Sequence, residues 1–201
     1  MTKQIIFATG NKGKIKEIEM ILADAGYEIR TMKEAGISIN IVEDGKTYEE
    51  NALIKVCAVA TQPQAQGCIV MADDSGLEID ALNKEPGVYS ARYLGEDTPY
   101  SVKNAELIHR LEGVPDEKRT ARFACAIAAK LPDGSEIVTK STIEGRIGYE
   151  EKGSNGFGYD PIFFYPPYGK HTAELTEEQK NEVSHRGKAL RLMKEELGKI
   201  Y

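Results

Sequence analysis

The chain has a continuous run of apolar residues near its start, and a segment follows in which apolar residues recur at helical spacing. Ile5–Ala8 is an uninterrupted apolar run, and the glycine-containing segment Thr9–Lys14 follows it. Beyond that segment, apolar residues recur at the spacing of a helix as far as Leu22. The pattern predicts a strand, a loop and a helix in succession, which is the opening of an α/β fold.

The next two elements are predicted by a cap and by a second apolar run. Thr47, with Glu50 three residues later, has the spacing of a capping box and predicts a helix that extends through Ala60. The apolar run Cys68–Ala72 then predicts a second buried strand. These elements continue the alternation of strand and helix.

The second half of the chain predicts a helix, a hairpin, a strand and a last helix. Thr98-Pro99 indicates the start of the helix, because proline is favoured in the first helical position. Two strand-like segments flank Pro132-Asp133-Gly134, a turn sequence suited to an antiparallel hairpin. The two hairpin strands are predicted over 123–131 and 137–147. A further strand is predicted over 162–164, and an amphipathic last helix over 189–197.

Composition bounds the class of protein. The 201 residues, 41% of them hydrophobic, suffice for one sizeable core, and no repeat, low-complexity tract or linker separates a second domain. We therefore expect a single α/β domain over residues 1–201, which leaves open two lobes sharing one long sheet. A net charge of −6 argues against a nucleic-acid or anionic-membrane partner, since either would need a basic patch.

Cysteine usage and the absence of long apolar stretches indicate the compartment. Cys57, Cys68 and Cys125 lie in apolar runs at no metal-ligand spacing, which favours buried free thiols in a reducing compartment. The short apolar run near the N-terminus is too brief for a signal peptide, and no stretch has the length that spans a bilayer. The expectation is a soluble cytoplasmic protein.

The loop before the first helix is a candidate phosphate-binding loop, and its residues are Thr9, Gly10, Asn11, Lys12, Gly13 and Lys14. Glycine allows a ligand to approach the backbone, N–H groups at a helix N-terminus attract anions, and Lys14 adds a positive charge. An ordinary strand-to-helix turn with solvated lysines explains the same residues equally well. The Walker pattern does not fit, because the glycines stand too close together and Ile15 replaces its serine or threonine.

Lys55 is an isolated charge in the helix predicted after Thr47. Residues 52–60 are otherwise apolar, which indicates a helix that is buried nearly all round. A buried ammonium group is costly unless it is paired, so we expect Lys55 to meet a carboxylate or a substrate phosphate. The alternative is that its aliphatic stem carries the charge out to water.

Two acidic pairs are candidate metal ligands. Asp73 and Asp74 directly follow the second predicted strand, and ligands of open α/β sheets gather outside the carboxyl ends of strands. Magnesium takes one or two carboxylates and completes its shell with water and phosphate oxygens. Glu43, followed by Asp44, is the candidate for the second carboxylate. For either pair alone, a solvated turn or a helix cap is the more common explanation.

Two segments towards the C-terminus are candidates for binding a nucleobase. The run Gly156-Phe157-Gly158-Tyr159-Asp160-Pro161 offers a stacking face beside a hydrogen-bond acceptor, although a packed turn has the same composition. His185 and Arg186 carry planar donors suited to exocyclic oxygens, while a cap at Ser184 with solvated neighbours explains the same residues. Lys180, in a charged stretch, has no local signal of its own.

Five segments form a distinctive set in order and spacing: Thr9–Lys14, Asp73–Leu77, Pro86–Tyr93, Gly156–Phe163 and Ser184–Arg186. Together they resemble the inosine triphosphate pyrophosphatase family, which includes bacterial enzymes acting on deoxyinosine and xanthosine triphosphates. The resemblance runs nearly end to end. It implies a long central mixed sheet flanked by helices, in two lobes with a substrate cleft between them, and a homodimer.

The resemblance also implies an activity, namely magnesium-dependent hydrolysis of ITP, dITP, XTP and dXTP to the monophosphate and pyrophosphate. It implies that the loop Thr9–Lys14 binds the triphosphate and that Ser75 touches the substrate. Asp74 is then the proton acceptor and, with Glu43, a magnesium ligand, while Lys14 and Lys55 stabilise phosphate charge. The residues implied to hold the base are Phe157, Gly158, Tyr159, Asp160, Lys180, His185 and Arg186.

Two other functions fit parts of the pattern. One is a Maf-like pyrophosphatase for modified pyrimidine nucleotides, against which the segment Ser184–Arg186 argues. The other is a sensor that binds nucleotides without turnover, against which the acidic residues Glu43 and Asp74 argue. Base preference separates the first from the favoured reading, and pyrophosphate release separates the second.

Overall fold

A computed structural model of the chain describes residues 3–22 and 26–200 except for the side chains of Lys3 and Lys12. The helices are α1 (Lys12–Leu22), α2 (Tyr48–Ala60), α3 (Tyr100–Arg110), α4 (Glu177–Val183) and α5 (His185–Ile200). The strands are β1 (Lys3–Phe7), β2 (Tyr27–Thr31), β3 (Ile69–Ile79), β4 (Thr120–Lys130), β5 (Glu136–Ile147), β6 (Phe163–Tyr165) and β7 (Lys170–His171). The sequence patterns do not predict β2, β7 or α4.

The strands form one mixed sheet in the order β2-β1-β3-β4-β5-β6-β7 within the described residues. β1 pairs in parallel with β2 and with β3, whereas β6 pairs antiparallel with β5 and with β7. The predicted α/β class with a long mixed sheet is therefore confirmed. β4 and β5 are neighbours in the sheet on either side of Pro132-Asp133-Gly134, where the hairpin turn was predicted.

The chain divides into two compact units that alternate along the sequence. Unit 1 comprises Met1–Asp74, Cys125–Ser141 and Arg186–Tyr201, and unit 2 comprises Ser75–Ala124 and Thr142–His185. Each unit has its own buried hydrophobic core. The predicted single domain with two lobes and a cleft stays a prediction.

In unit 1, side chains that alternate along β1 pack into two different cores. Ile5 and Phe7 join buried residues of α1 and α5, whereas Ile6 joins buried residues of α2. Successive side chains on a strand point to opposite faces, so helices cover this part of the sheet on both faces. That burial on both faces explains why β1 is an unbroken apolar run.

The core of unit 2 joins the second half of β3 to α3 and to the neighbouring strands. Leu77 and Ile79 of β3 pack with Leu107 of α3 and with Phe123 and Phe163 of β4 and β6. This burial extends β3 beyond its predicted end at Ala72, through Asp73-Asp74 and as far as Ile79. The prediction that the two aspartates follow the strand was wrong, because Ser75-Gly76 continues in extended conformation into the second core.

Two helix starts differ in detail from their predictions. Thr47 caps α2 by accepting from the Glu50 N–H at 3.1 Å, as predicted, but the Glu50 carboxylate accepts from the Lys46 N–H at 2.6 Å instead of completing a capping box. At α3, Pro99 occupies the cap position, and the Thr98 hydroxyl donates to the Leu94 carbonyl at 2.7 Å. Both starts were predicted to within about a residue, which is the usual precision of helix boundaries.

The cysteines are free thiols, as predicted, but only Cys125 is fully buried, since Cys57 and Cys68 are partly exposed. Among the described residues, no helix has the combination of length and apolar composition needed to cross a bilayer.

Candidate active site

The loop after β1 is held by its own polar side chains. The Asn11 side-chain oxygen accepts from the N–H groups of Gly13 and Lys14 at 2.9 and 3.2 Å, and Thr9 Oγ1 accepts from the Asn11 N–H at 3.2 Å. Asn11 thus caps the first turn of α1. Three N–H groups that the sequence suggested for a phosphate, those of Asn11, Gly13 and Lys14, are engaged within the loop, while Gly10 has open space around it. The side chain of Lys12 lies outside the described part of the chain.

Lys14 belongs to a buried chain of alternating charges in unit 1. Its ammonium lies 2.9 Å from Asp73 Oδ2, which also accepts from Arg186 Nε at 3.2 Å. Arg186 in turn pairs with Glu17, one turn after Lys14 on α1. These ion pairs join the start of α1, the middle of β3 and the start of α5.

These contacts shift the pKa values of Asp73 and Arg186. Burial alone would raise the pKa of Asp73, but the charges of Lys14 and Arg186 outweigh burial and hold that pKa well below its ordinary value. The pKa of Arg186 is raised, since the Asp73 and Glu17 carboxylates outweigh the effect of burial. Asp73 Oδ1 is buried with no hydrogen-bond partner among the described residues, so this oxygen can accept from water or from a ligand.

Asp74, the next residue of β3, lies in a second polar group formed with α2. Asp74 Oδ2 accepts from Asn51 Nδ2 at 3.0 Å, and Asp74 Oδ1 lies 3.7 Å from the Lys55 ammonium. Lys55 also donates to Glu43 Oε2 at 2.8 Å, and the Asn51 side-chain oxygen accepts from the Gly45 N–H at 2.9 Å. Asn51 and Lys55, one turn apart on α2, therefore tie the loop that carries Glu43 to Asp74.

The electrostatics of this second group differ from those of the first. Burial raises the pKa of Asp74 above its ordinary value, although Lys55 and the hydrogen bond from Asn51 oppose that shift. Burial alone would lower the pKa of Lys55, but Asp73, Asp74 and Glu43 outweigh it, and the pKa of Lys55 is raised. The expectation that Lys55 meets a carboxylate is confirmed. Asp74 has the raised pKa of a group able to take up a proton.

In unit 2, the segment 156–160 closes around Asp160. Asp160 Oδ2 accepts from Lys180 Nζ at 2.6 Å and from the Phe157 N–H at 2.8 Å, and Asp160 Oδ1 accepts from Thr172 Oγ1 at 2.9 Å. The Lys180 ammonium also lies 4.5 Å from the centroid of the Phe157 ring, within the range of a cation–π contact. Thr172 carries no motif and was not predicted.

Neighbouring residues of unit 2 anchor this segment. The Tyr159 hydroxyl donates to the Ser90 carbonyl at 2.7 Å, and its ring meets Tyr100 edge-on at 5.1 Å between centroids. The Gly158 carbonyl accepts from Asn104 Nδ2 at 3.4 Å. Burial raises the pKa of Tyr159, so its phenol stays protonated and serves as an anchor.

The structure thus brings the predicted site residues together in two groups, one in each unit. Glu43, Lys55 and Asp74 are grouped in unit 1, where Lys14 and Arg186 also pair with Asp73. Phe157, Asp160 and Lys180 are grouped in unit 2, where the His185 ring stacks on Phe123 at 4.9 Å between centroids. Ser75 follows Asp74 on β3, is the first residue of unit 2 and is partly buried.

Sequence reasoning missed Asn51, Glu17 and Thr172. Asn51 had a detectable signal, because it stands one turn before Lys55 on the face of α2 that the apolar pattern places in the core. Glu17 is separated from its partner Arg186 by almost the whole chain, and Thr172 begins a one-turn 3-10 helix. No local pattern marks either residue.

A scan against protein-family models matches the model of the Ham1 family over residues 5–196. The chain belongs to the Ham1 family. This Ham1-family chain is 46% identical over 198 residues to a protein of Desulforamulus reducens named dITP/XTP pyrophosphatase, with 98% of this chain and 97% of the relative covered. A Bacillus subtilis protein of the same name is 45% identical over 189 residues, with 94% of each chain covered.

Solved structures give the same result for the fold. The Staphylococcus aureus Ham1 protein superimposes on this Ham1-family chain with a TM-score of 0.87 and 40% identity, covering 99% of this chain and all of the other. A HAM1 protein from Coxiella burnetii gives a TM-score of 0.87 and 37% identity over 98% of this chain and 99% of the other. The resemblance seen in the sequence is confirmed at the level of the family and the fold.

Proposed function

We propose that this Ham1-family chain is a nucleoside triphosphate pyrophosphatase. Its substrates are non-standard purine nucleotides, namely ITP, dITP, XTP and dXTP, which it hydrolyses to the monophosphate and pyrophosphate and so removes from the nucleotide pool. The observation that carries the proposal is the group of Asp74, Asn51, Lys55 and Glu43 in a chain 46% identical to a relative named dITP/XTP pyrophosphatase. That group places the Asp74 carboxylate, a candidate proton acceptor, beside the positive charge of Lys55, and both are parts that phosphate transfer uses.

The residues present fit a magnesium ion. Glu43 and Asp74 both approach the same Lys55 ammonium, so two carboxylates converge on one position of positive charge. Among the described residues, no three acidic, histidine or cysteine side chains cluster as a dedicated metal cage. Two carboxylates agree with magnesium, which keeps water and phosphate oxygens in its shell. Bound there, the ion would neutralise the triphosphate.

The chain's own residues account for the proton and charge movements. A water oxygen attacks the α-phosphorus, its proton passes to the Asp74 carboxylate, and the bond between the α-phosphorus and the bridging oxygen breaks to release pyrophosphate. Asn51 holds Asp74 in place through its hydrogen bond of 3.0 Å to Oδ2. Lys14 and Lys55 stabilise the charge on the nonbridging oxygens, and no covalent intermediate is needed.

Base recognition is assigned to unit 2. The Phe157 ring is a stacking face, and Lys180 and His185 offer donors to the 6-oxo group of a hypoxanthine or xanthine. A site built to donate there disfavours the 6-amino group of adenine, because its donors would be left unpaired. Arg186 pairs with Asp73 and Glu17 in unit 1, so its contact with the base stays a prediction. Asp160 and Tyr159 serve the base by fixing the segment that carries Phe157.

Three further properties belong to the same proposal. The enzyme is a homodimer, it acts in the cytoplasm, and it binds neither nucleic acid nor membranes. The net charge of −6 supports the last point, because a polyanionic partner would be repelled outside a local cationic site. Membership of the Ham1 family argues against the Maf-like alternative.

The test is pyrophosphate release from inosine, xanthosine, guanosine and adenosine triphosphates in the presence of magnesium, with a chelator control. We expect strong metal-dependent release from the first two and weak release from adenosine triphosphate. Nucleotide binding without pyrophosphate release from any substrate would instead support a sensor. Equal rates on all four would contradict the assigned base selectivity.

A further inference from the structure

Thr172 contacts one carboxylate oxygen of Asp160, and Lys180 and Phe157 contact the other. Thr172 begins a one-turn 3-10 helix, Thr172–Glu174, directly after β7, and its side chain is buried. Its hydroxyl oxygen lies 2.9 Å from Asp160 Oδ1 and 3.1 Å from the Asp160 backbone carbonyl. A single hydroxyl therefore reaches both the side chain and the main chain of Asp160.

The two oxygens of Asp160 connect this hydroxyl to Lys180. Oδ1 faces Thr172, while Oδ2 accepts from Lys180 Nζ at 2.6 Å and from the Phe157 N–H at 2.8 Å. A carboxylate engaged through both oxygens cannot rotate about its terminal bond without losing one set of contacts. The orientation of Asp160 thereby sets the position of the Lys180 ammonium over the Phe157 ring.

The backbone at Gly156 packs directly against the Asp160 carboxylate. A methyl group added at Gly156 would lie 2.3 Å from Asp160 Oδ2 and 3.1 Å from Lys180 Nζ. One built at Gly153 would lie 2.2 Å from the Ala173 carbonyl oxygen, which also accepts from the Asn155 N–H at 2.9 Å. The turn that carries Thr172 is therefore packed directly against the segment that carries Phe157 and Asp160.

We propose that Thr172 is a positioning residue that determines base selectivity by fixing Asp160 and, through it, the Lys180 ammonium. This inference rests on the proposed function, in which Lys180 donates to a 6-oxo group. An ammonium in a fixed position donates to a 6-oxo group placed opposite it, whereas it finds no acceptor in a 6-amino group at the same place. An ammonium that moves can retreat from the amino group of adenine, so discrimination is lost while the triphosphate is still bound.

The experiment compares Thr172→Val, which keeps the shape and removes the hydroxyl, with Thr172→Ser, which keeps the hydroxyl. The measured quantities are kcat and KM for inosine and adenosine triphosphates. For Thr172→Val we expect the ratio of kcat/KM for the two substrates to fall about tenfold, as for the loss of a hydrogen bond to a charged group. The fall should arise from a higher KM for the inosine substrate together with a lower KM for the adenosine substrate. Thr172→Ser should restore the ratio to within about twofold.

A matched control is Thr139→Val in unit 1. Thr139 is also buried, and its hydroxyl donates to the Ala189 carbonyl at 2.9 Å without touching Asp160. It should lower thermal stability while leaving the selectivity ratio unchanged. An unchanged ratio in Thr172→Val, or an equal fall in Thr139→Val, would overturn the proposal.

Folding and the proposed function are tested separately. Should Thr172→Val not fold, Thr172→Ala removes the hydroxyl without adding bulk, and an unchanged ratio in that variant overturns the inference. The unmodified protein reports on the proposed function alone. If it prefers inosine triphosphate but the Thr172 variants do too, only the role of Thr172 is lost.

Discussion

At the scale of single residues, two consecutive aspartates on β3 have pKa values shifted in opposite directions. Asp73 and Asp74 point to opposite faces of the sheet, because side chains alternate along a strand. Asp73 meets Lys14 and Arg186, which lower its pKa, whereas Asp74 meets the group around α2, where burial raises its pKa. Neighbours in sequence therefore have different surroundings, which suit Asp73 to be a counter-charge for Lys14 and Arg186 and Asp74 to be the proposed proton acceptor.

Replacing Asp74 by asparagine tests the second role. Asp74→Asn keeps the size of the side chain and removes its ability to take up a proton, so kcat should fall by about 10²–10⁴ while nucleotide binding is retained. Turnover is followed by pyrophosphate release, and binding is measured by calorimetry with a non-hydrolysable inosine triphosphate analogue.

Asp44→Asn is the matched control, because Asp44 is an exposed carboxylate beside Glu43. It should retain close to full activity. Activity retained in Asp74→Asn would remove that residue from the proposed role.

At the scale of elements, the segment 153–160 and the turn Thr172–Glu174 form one packed unit held by side-chain and main-chain hydrogen bonds. Gly156 has a positive φ of 74° and faces the ion pair between Asp160 and Lys180. Glycine is required at this position for two reasons. The first is its backbone conformation, and the second is that no side chain fits there.

The second requirement can be separated from the first by two alanine substitutions. Gly169 has a φ of 62° and open space around it, so Gly169→Ala should cost only the left-handed backbone penalty of about 1–2 kcal/mol. Gly156→Ala should cost about 1–3 kcal/mol more because of overpacking, and it should also lower kcat/KM for inosine triphosphate. Unfolding in urea measures both costs. Equal destabilisation by the two variants would contradict the packing seen at Gly156.

β7 adds a titratable group whose effect on stability has a defined sign. Burial lowers the pKa of His171 below its ordinary value of 6.5, although Glu174 opposes the shift, and the more distant Lys152 and Glu150 act in opposite directions. Its ring meets Phe164 edge-on, and its Nε2 has no hydrogen-bond partner among the described residues. The folded protein therefore favours the neutral form of this imidazole more than the unfolded chain does.

A lowered pKa means that the unfolded chain binds the proton more readily than the folded one. The contribution of His171 to stability is complete above a pH of about 6.5 and is lost as the pH falls towards the folded pKa. We expect the thermal midpoint to fall between about pH 7.5 and pH 5.5, and His171→Asn should reduce that fall.

His109→Asn is the control for this effect. His109 is exposed, and its neighbour Glu112 raises its pKa, so its sign is opposite. That variant should leave the acid-side loss in place. A pH dependence identical in the unmodified protein and His171→Asn would contradict the assignment.

At the scale of the whole molecule, the chain carries a net charge of −6 yet is proposed to bind a triphosphate. The cations proposed to meet this need are held locally in unit 1, where Lys14 and Lys55 are each paired with carboxylates. Such pairing keeps buried cations in place before a substrate arrives, since an unpaired buried charge would be costly.

The proposed homodimer is tested at the same scale. Light scattering coupled to gel filtration should give a mass twice that of the 22.2 kDa chain across a range of protein concentrations. A mass of one chain at every concentration would contradict it. The result is independent of the activity assays, because it does not depend on substrate.

Local rules were sufficient for much of the fold. The apolar run of β1, the cap at Thr47 and the turn Pro132-Asp133-Gly134 each depend on residues close in sequence, and all three were predicted at the right places. The family likewise follows from motifs whose order is a property of the sequence. The isolation of Lys55 in an apolar helix was enough to predict that it meets a carboxylate or a substrate phosphate, and it donates to the Glu43 carboxylate.

Tertiary structure decided what those residues do to one another. β3 continues through Asp73 and Asp74 because a second core buries Leu77 and Ile79, which the turn-like Asp-Ser-Gly sequence conceals. The partners of Arg186 and the contact of Thr172 with Asp160 join segments that are distant along the chain. Sequence alone determined the family and most of the elements, though not β2, β7 or α4, since these predictions depend on local spacing and motif order. Only packing between distant segments fixed the charge partners and the pKa values, because electrostatic interactions depend on distance in space and on burial.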